Sequence, residues 1–195
     1  MTRPRRLVLG STSRYRAELL GRLGLAFEQR APGVDETEQP GEQPVDRAIR
    51  LATAKAIAAG AGLTDALVIG SDQVAELDGE LLEKPGSMER AHAQLSACSG
   101  REVRFHTALC VYDTNSGQQH SFLDLTRVTF RHLQPDEISR YIAREQPLDC
   151  AGSFKCEGLG ISLFERIDST DPTALIGLPL IGLSKMLREA GLALP

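Results

Sequence analysis

An excess of positive charge is missing from this chain. Its 22 lysines and arginines stand against 26 aspartates and glutamates, a formal net charge of −4. A protein that coats nucleic acid is thereby excluded, and any phosphate must bind in a pocket whose charge departs from the average. Cysteine is scarce: Cys98, Cys110, Cys150 and Cys156 are scattered, with no C-x-x-C pair and no disulfide framework. Long hydrophobic runs are missing too, which leaves no segment able to span a bilayer. The basic start, Met1 to Arg6, is followed only by Leu7 to Leu9, too short for the apolar region of a signal peptide. These absences point to a reducing cytoplasm, with no membrane and no nucleic-acid polymer as partner. Familiar motifs are also absent. There is no G-x-x-x-x-G-K-[ST], no G-x-G-x-x-G, no H-E-x-x-H and no G-x-S-x-G, and the four histidines show no metal-ligand spacing.

What is present suits one domain, or two lobes sharing a cleft, in 195 residues with 42% hydrophobic and 25% charged side chains. Arg6 to Leu9 reads as a strand and Arg14 to Leu23 as a helix, with Tyr15, Leu19 and Leu23 on one face. Ala26 to Arg30 reads as a strand, Ala31 to Pro44 as a polar loop, and Val45 to Ala61 as an alanine-rich helix. Ala66 to Gly70 is an uninterrupted apolar run, expected as a strand buried on both faces. Asp78-Gly79 signals a hairpin. Helices are expected over Met88–Cys98, Gln134–Arg144 and Pro179–Ala190, and strands over Glu102–Tyr112, Phe122–Phe130 and Ile161–Ile167. Alternating elements followed by a hairpin give an α/β fold with a mixed sheet.

Several positions offer chemistry. The turn Gly10-Ser11-Thr12-Ser13 between the first strand and helix presents N–H groups and hydroxyls at the positive end of a helix dipole, which favours an anion. Arg16, a cation opposing that dipole, is explained by a phosphate held there. The alternative is that Ser13 only caps the helix and Arg16 is solvated. Asp72, placed just past the apolar strand, suits the orientation or deprotonation of a water, or a divalent cation; alternatively it caps a turn. Lys55, Lys84 and Lys155 flank turns or helices and read either as site cations or as surface charges. Asp35 and Glu36 supply metal ligands or solvate a loop. Leu175 to Leu180 reads as packing, with a main-chain contact to a ligand as the alternative.

These stretches, taken in order, resemble the Maf family of nucleoside triphosphate pyrophosphatases. The resemblance is carried by Gly10-Ser11-Thr12-Ser13-Arg14-Tyr15-Arg16, Val34-Asp35-Glu36-Thr37, Ala54-Lys55-Ala56 and Ile69-Gly70-Ser71-Asp72-Gln73-Val74. It continues through Lys84-Pro85, Leu95 with Ser99-Gly100, Ala151-Gly152-Ser153 and Gly177-Leu178-Pro179-Leu180. It covers about Leu7 to Gly191 and implies a single Maf-like domain over residues 1–195. The implied fold is α/β, with a mixed, twisted sheet flanked by helices in two lobes around a deep cleft, as in inosine-triphosphatase-like proteins. It implies a homodimer, and cleavage of a nucleoside triphosphate to monophosphate and pyrophosphate with a divalent cation, magnesium or manganese. The proton acceptor of the family falls on Asp72, its phosphate-binding residues on Ser11, Ser13 and Arg16. Lys55 and Lys84 match further phosphate-side positions, Glu36 joins Asp72 as a metal ligand, and Lys155 is a further polar site position.

The family has branches. One acts on pyrimidine triphosphates and carries Arg, Thr and Gln where this chain has Tyr15, Gln73 and Glu157. The branch with Ser-Asp-Gln and Gly-Ser-Phe-Lys-x-Glu-Gly resembles this chain more closely and is similar to enzymes acting on N7-methyl-GTP. The chemistry agrees: methylation puts positive charge on the guanine ring, which Tyr15 is suited to stack on and Glu157 to balance. The rival readings are dTTP, UTP or another non-standard nucleotide, and a nucleotide-binding regulator of cell division. Gly10 in place of a usual Ala, and Arg14 in place of a frequent Pro, are the departures from the family pattern.

Overall fold

The computed structural model describes residues 5–194, so the reading of the chain's first residues as no leader lies partly outside the described residues. Among the described residues, five α-helices accompany a seven-stranded sheet. In chain order these are β1 (Arg6–Leu9), α1 (Arg14–Gly21), β2 (Glu28–Gln29), α2 (Pro44–Gly60), β3 (Ala66–Leu77), β4 (Glu80–Leu81) and α3 (Met88–Cys98). They continue as β5 (Glu102–Asp113), β6 (Gln119–Phe130), α4 (Pro135–Glu145), β7 (Phe164–Asp168) and α5 (Leu180–Glu189). Strands pair in the order β2-β1-β3-β5-β6-β7, with β4 added to β3. The sheet is mixed: β1 runs parallel to β2 and β3, with Leu7 opposite Leu67 and Leu9 opposite Ile69, whereas β3–β4 and β6–β7 are antiparallel.

The chain divides into two compact units. One comprises residues up to Gln73, Thr107–Asp124 and those from Asp171 onward; the other comprises Val74–His106 and Leu125–Thr170. The first has the layered core that its strand pattern dictates. On β1 and β3, alternate side chains point to opposite faces. Leu7, Leu9, Leu67 and Ile69 pack with Leu19 and Leu20 of α1 and Leu183 and Leu187 of α5. Val8 and Val68 face the other way, onto Ala59 of α2. The second unit gathers four of the six phenylalanines, Phe105, Phe130, Phe154 and Phe164, edge to face with centroids 4.7–5.6 Å apart.

Local signals place most elements. Asp78 and Gly79 both adopt positive φ, 52° and 89°, the conformation a two-residue hairpin turn requires, and join β3 to β4. Helix α3 is capped by Ser87, whose side chain accepts from the Arg90 N–H. Three expectations need correction. Strand β3 does not stop at Gly70 but continues to Leu77, so Asp72 lies inside a strand rather than beyond its end. Its polar side chains are satisfied by the chemistry described below, so the ladder has no reason to break. Ile161 does not start a strand: Leu159–Leu163 is a 3₁₀ turn, and β7 begins at Phe164. The stretch Ala26–Arg30 contributes only Glu28 and Gln29 to the sheet.

All four cysteines are free. Burial pushes the Cys98, Cys150 and Cys156 thiols up to about 12, which keeps them protonated and unreactive near neutral pH. Among the described residues, no helix is long and apolar enough to cross a membrane.

Candidate active site

The turn after β1 is built from its own hydroxyls. Ser11 Oγ accepts from the Ser13 N–H at 3.1 Å, and Ser13 Oγ accepts from the Arg16 N–H at 3.4 Å as the cap of α1. Capping does not exhaust the turn, because Arg16 is half-buried rather than solvated. Its Nε donates to the Gly177 carbonyl at 2.9 Å, and Nη1 makes a long contact of 3.5 Å with Ser11 Oγ. Anchoring through Nε leaves the forked end of the guanidinium beside two serines at a helix N-terminus, a geometry suited to a phosphate. Burial pushes the Arg16 pKa down, and the carboxylates of Asp72 and Glu36 oppose that shift. A guanidinium stays charged throughout the working pH range.

A second cation stands with two carboxylates. Lys55 Nζ lies 2.6 Å from Asp72 Oδ1 and 2.7 Å from Glu36 Oε1. Lys55 and Asp72 are both buried, and Glu36 is the exposed member. Two glycines permit this approach. A Cβ on Gly70 would sit 2.1 Å from the Ala52 carbonyl oxygen and 2.6 Å from Ala56 N; one on Gly10 would sit 2.9 Å from both the Lys55 carbonyl oxygen and Ala59 Cβ. Helix α2 therefore presses directly onto β1 and β3, and its Lys55 reaches the strand. That crowding is the physical reason for glycine at position 10.

The acidic loop delivers Glu36 because arginines of α2 hold the loop. Arg47 Nη2 donates to the Glu36 carbonyl and Arg50 Nη2 to the Thr37 carbonyl, both at 3.2 Å. Arg50 also grips Glu42 in a two-pronged pair at 2.5 and 2.7 Å, which holds that carboxyl down at about 2. Asp35 is committed elsewhere: its Oδ1 accepts from Thr37 N and Oγ1. Of the loop's first two acids, then, Glu36 faces the site and Asp35 ties the turn.

The triplet Ser71-Asp72-Gln73 is fastened to the segment before α5. Ser71 Oγ donates at 3.0 Å to the same Gly177 carbonyl that receives Arg16. Gln73 Nε2 donates to the carbonyls of Ala174 and Leu175 and to Thr107 Oγ1, at 3.0–3.1 Å, and Thr107 Oγ1 donates in turn to Ala174. Three acceptors around Nε2 fix which way the amide points, so the remaining polar atom of Gln73, its carbonyl oxygen, is an acceptor. Buried Asp171 closes this segment: Oδ1 accepts from Thr173 N and Oγ1, Oδ2 from the N–H groups of Ile181 and Gly182 in the first turn of α5. The segment 175–180 is thus more than packing; its main chain holds side chains of the site.

Ser11, Ser13, Arg16, Glu36, Lys55, Asp72 and Gln73 all belong to the first unit, as does half-buried Tyr15. Lys84, Lys155 and Glu157 belong to the second. Lys84 is exposed and, among the described residues, pairs with no carboxylate. Glu157 is exposed, contacted by the Cys156 thiol at 3.5 Å. Lys155 braces the end of a helix, where its Nζ donates to the carbonyls of Glu145, the last residue of α4, and of its cap Gln146, at 3.2 and 3.4 Å. Sequence reading missed Arg47, Arg50, Thr107 and Asp171. The two arginines were visible as a pair three apart beside an acidic loop; nothing local marked Thr107 or Asp171.

For a divalent cation, the donor set is Glu36 and Asp72. Among the described residues, no group of three His, Cys, Asp or Glu side chains is placed to hold a metal. Two carboxylates fit a hard cation that takes its other ligands from phosphate oxygens and water, as magnesium does.

Comparison with known proteins gives a family match and close relatives. The family model described as Maf-like protein matches residues 6–190. A protein of Xanthomonas campestris pv. campestris (strain 8004), named 7-methyl-GTP pyrophosphatase, is 57% identical over 190 residues, covering 97% of this chain and 98% of the relative. One of the same name from Xanthomonas oryzae pv. oryzae (strain MAFF 311018) is 58% identical over 190 residues, covering 97% and 99%. Another from Burkholderia thailandensis is 56% identical over 189 residues, covering 95% and 88%.

Proposed function

Since this chain belongs to the Maf family, we propose that it is a nucleoside triphosphate pyrophosphatase whose substrate is N7-methyl-GTP. The name shared by its relatives supports the substrate. The observation that carries the chemistry is the Glu36–Lys55–Asp72 cluster, closed at 2.6 and 2.7 Å, in the same unit as the Ser11–Arg16 anion turn.

The reaction joins a water oxygen to the α-phosphorus and breaks its bond to the bridging oxygen, so that pyrophosphate leaves. Asp72 orients that water and takes its proton. Lys55 holds Oδ1 of Asp72 at 2.6 Å, which leaves Oδ2 to face the nucleophile. The forked end of Arg16 and the hydroxyls of Ser11 and Ser13 bind phosphate oxygens, and Lys55 and Lys84 add positive charge as negative charge develops on the leaving group. A divalent cation held by Glu36 and Asp72, magnesium or manganese, would neutralise further phosphate charge. Tyr15 stacks on the base, Gln73 accepts a hydrogen bond from it, and Glu157 balances the positive charge of the methylated ring. Lys155 is a further polar position of the proposed site. A homodimer in the cytoplasm completes the proposal.

Pyrophosphate release from a panel of triphosphates, including N7-methyl-GTP, GTP, dTTP and UTP, tests the substrate. N7-methyl-GTP is expected to give the highest kcat/KM; a pyrimidine at the top of the ranking would transfer the assignment to the other branch. Asp72→Asn is expected to keep the fold and lower kcat at least about a hundredfold, the lower end of general-base contributions. Near-normal turnover in that variant would remove Asp72 as the base.

A further inference from the structure

Tyr15 is already engaged. The guanidinium carbon of Arg14 stands 4.7 Å from the centroid of the Tyr15 ring, and Arg14 Nη2 donates to the Tyr15 hydroxyl at 2.8 Å. A planar, delocalised cation therefore covers one face of the ring, an arrangement that the negative face of an aromatic system favours. The ring is half-buried while Arg14 is exposed, so the arginine is the more solvent-facing member of the pair. An N7-methylated purine is also a planar, delocalised cation. It would make with Tyr15 the kind of contact that Arg14 now makes.

We propose that Arg14 is a resident competitor for the base, holding the Tyr15 face until the purine ring of the substrate displaces it. This rests on the assignment of Tyr15 to the base under the proposed function. The exchange sets a threshold at the ring. A cationic base replaces one cation–π contact with another and recovers most of what it displaces, the hydrogen bond from Arg14 to the Tyr15 hydroxyl passing to water. A neutral base gives up a cation–π contact for ordinary stacking and ends with less than it displaced.

Arg14 also carries a positive charge near a site for a polyanion, so its removal alone mixes two effects. A double-mutant cycle separates them, because attraction of the phosphates does not depend on the residue at position 15. The readout is kcat/KM for N7-methyl-GTP, with KM and kcat resolved, in the intact protein, Arg14→Ala, Tyr15→Leu and the double variant. Relative to its effect in the Tyr15→Leu background, Arg14→Ala is expected to raise kcat/KM by about two- to fivefold when Tyr15 is present, through KM and not kcat. If Tyr15→Leu raises KM but the cycle shows no coupling, or coupling of the opposite sign, the competitor role is overturned and the proposed function stands. If Tyr15→Leu leaves KM unchanged, the ring is not the platform for the base, and both that assignment and the role of Arg14 fall. If the intact protein releases no pyrophosphate from N7-methyl-GTP, the proposed substrate itself is overturned, and the competitor role with it.

Discussion

Glycine 70 shows how much one missing methyl group can position. With an alanine there, Cβ would meet backbone atoms of α2 at 2.1 and 2.6 Å, and backbone cannot turn aside as a side chain can. Helix α2 would have to lift, taking Lys55 from Asp72. Gly70→Ala is expected to lower stability by about 1–3 kcal/mol, the range for overpacked cores, read as a fall in Tm of about 2–4 °C per kcal/mol for a chain of this size. Turnover should fall with it. Gly10→Ala, whose nearest contacts are 2.9 Å, should be milder in both respects. If the two variants ranked the other way in a thermal melt, the close approach of α2 over β3 would not be what holds Lys55. Residue types were legible in the sequence at this scale: Asp72, Lys55, Glu36 and Arg16 were singled out by it, and the structure brings the first three into contact. Their partners were not, because Lys55 and Asp72 are 17 positions apart and Ser71 and Gly177 are 106 apart.

Among the elements, the acidic loop depends most plainly on pH. Arg50 holds the Glu42 carboxyl at about 2, below its ordinary 4.5. A depressed carboxyl value gives stabilisation that is complete above the ordinary value and lost as pH falls toward the folded one. The stability difference between the intact protein and Glu42→Gln, measured by urea denaturation, should therefore be constant above about pH 5 and shrink between pH 4.5 and 2. A difference that persisted at the low end of that range would show that Glu42 acts through its shape and not its charge. Legibility at this scale followed locality. Helix α3 matches the sequence expectation to the residue because its Ser87 cap and its Gly100 stop are adjacent to it. Strand β3 was read too short because the apolar pattern ends at Gly70. What keeps Ser71 and Gln73 in the sheet lies far along the chain, at residues 174–177 and, for Gln73, also Thr107.

For the whole molecule, charge sets the central problem: a chain of net charge −4 handles a polyanion. Part of the proposed answer is local, in Arg16 and Lys55; part is the divalent cation proposed for Glu36 and Asp72. Chelating divalent cations is expected to abolish turnover while leaving the circular dichroism spectrum unchanged, and added magnesium should restore it. Turnover that survived the chelator would remove the cation from the proposed mechanism. Composition gave the sign of this problem at once, and the sequence pattern gave the α/β class. Neither could show that the last part of the chain returns to hold the first.

That return has a consequence for how the protein comes into being. The Nε anchor of Arg16 is the carbonyl of Gly177, 161 residues later. On the ribosome, Ser11, Lys55 and Asp72 emerge long before Gly177 is made. A chain interrupted between Glu157 and Gly177 carries every side chain assigned to the chemistry and still lacks the atom that aims its arginine. The aim of Arg16 is therefore set only once Gly177 has been made and has folded back onto the first part of the chain.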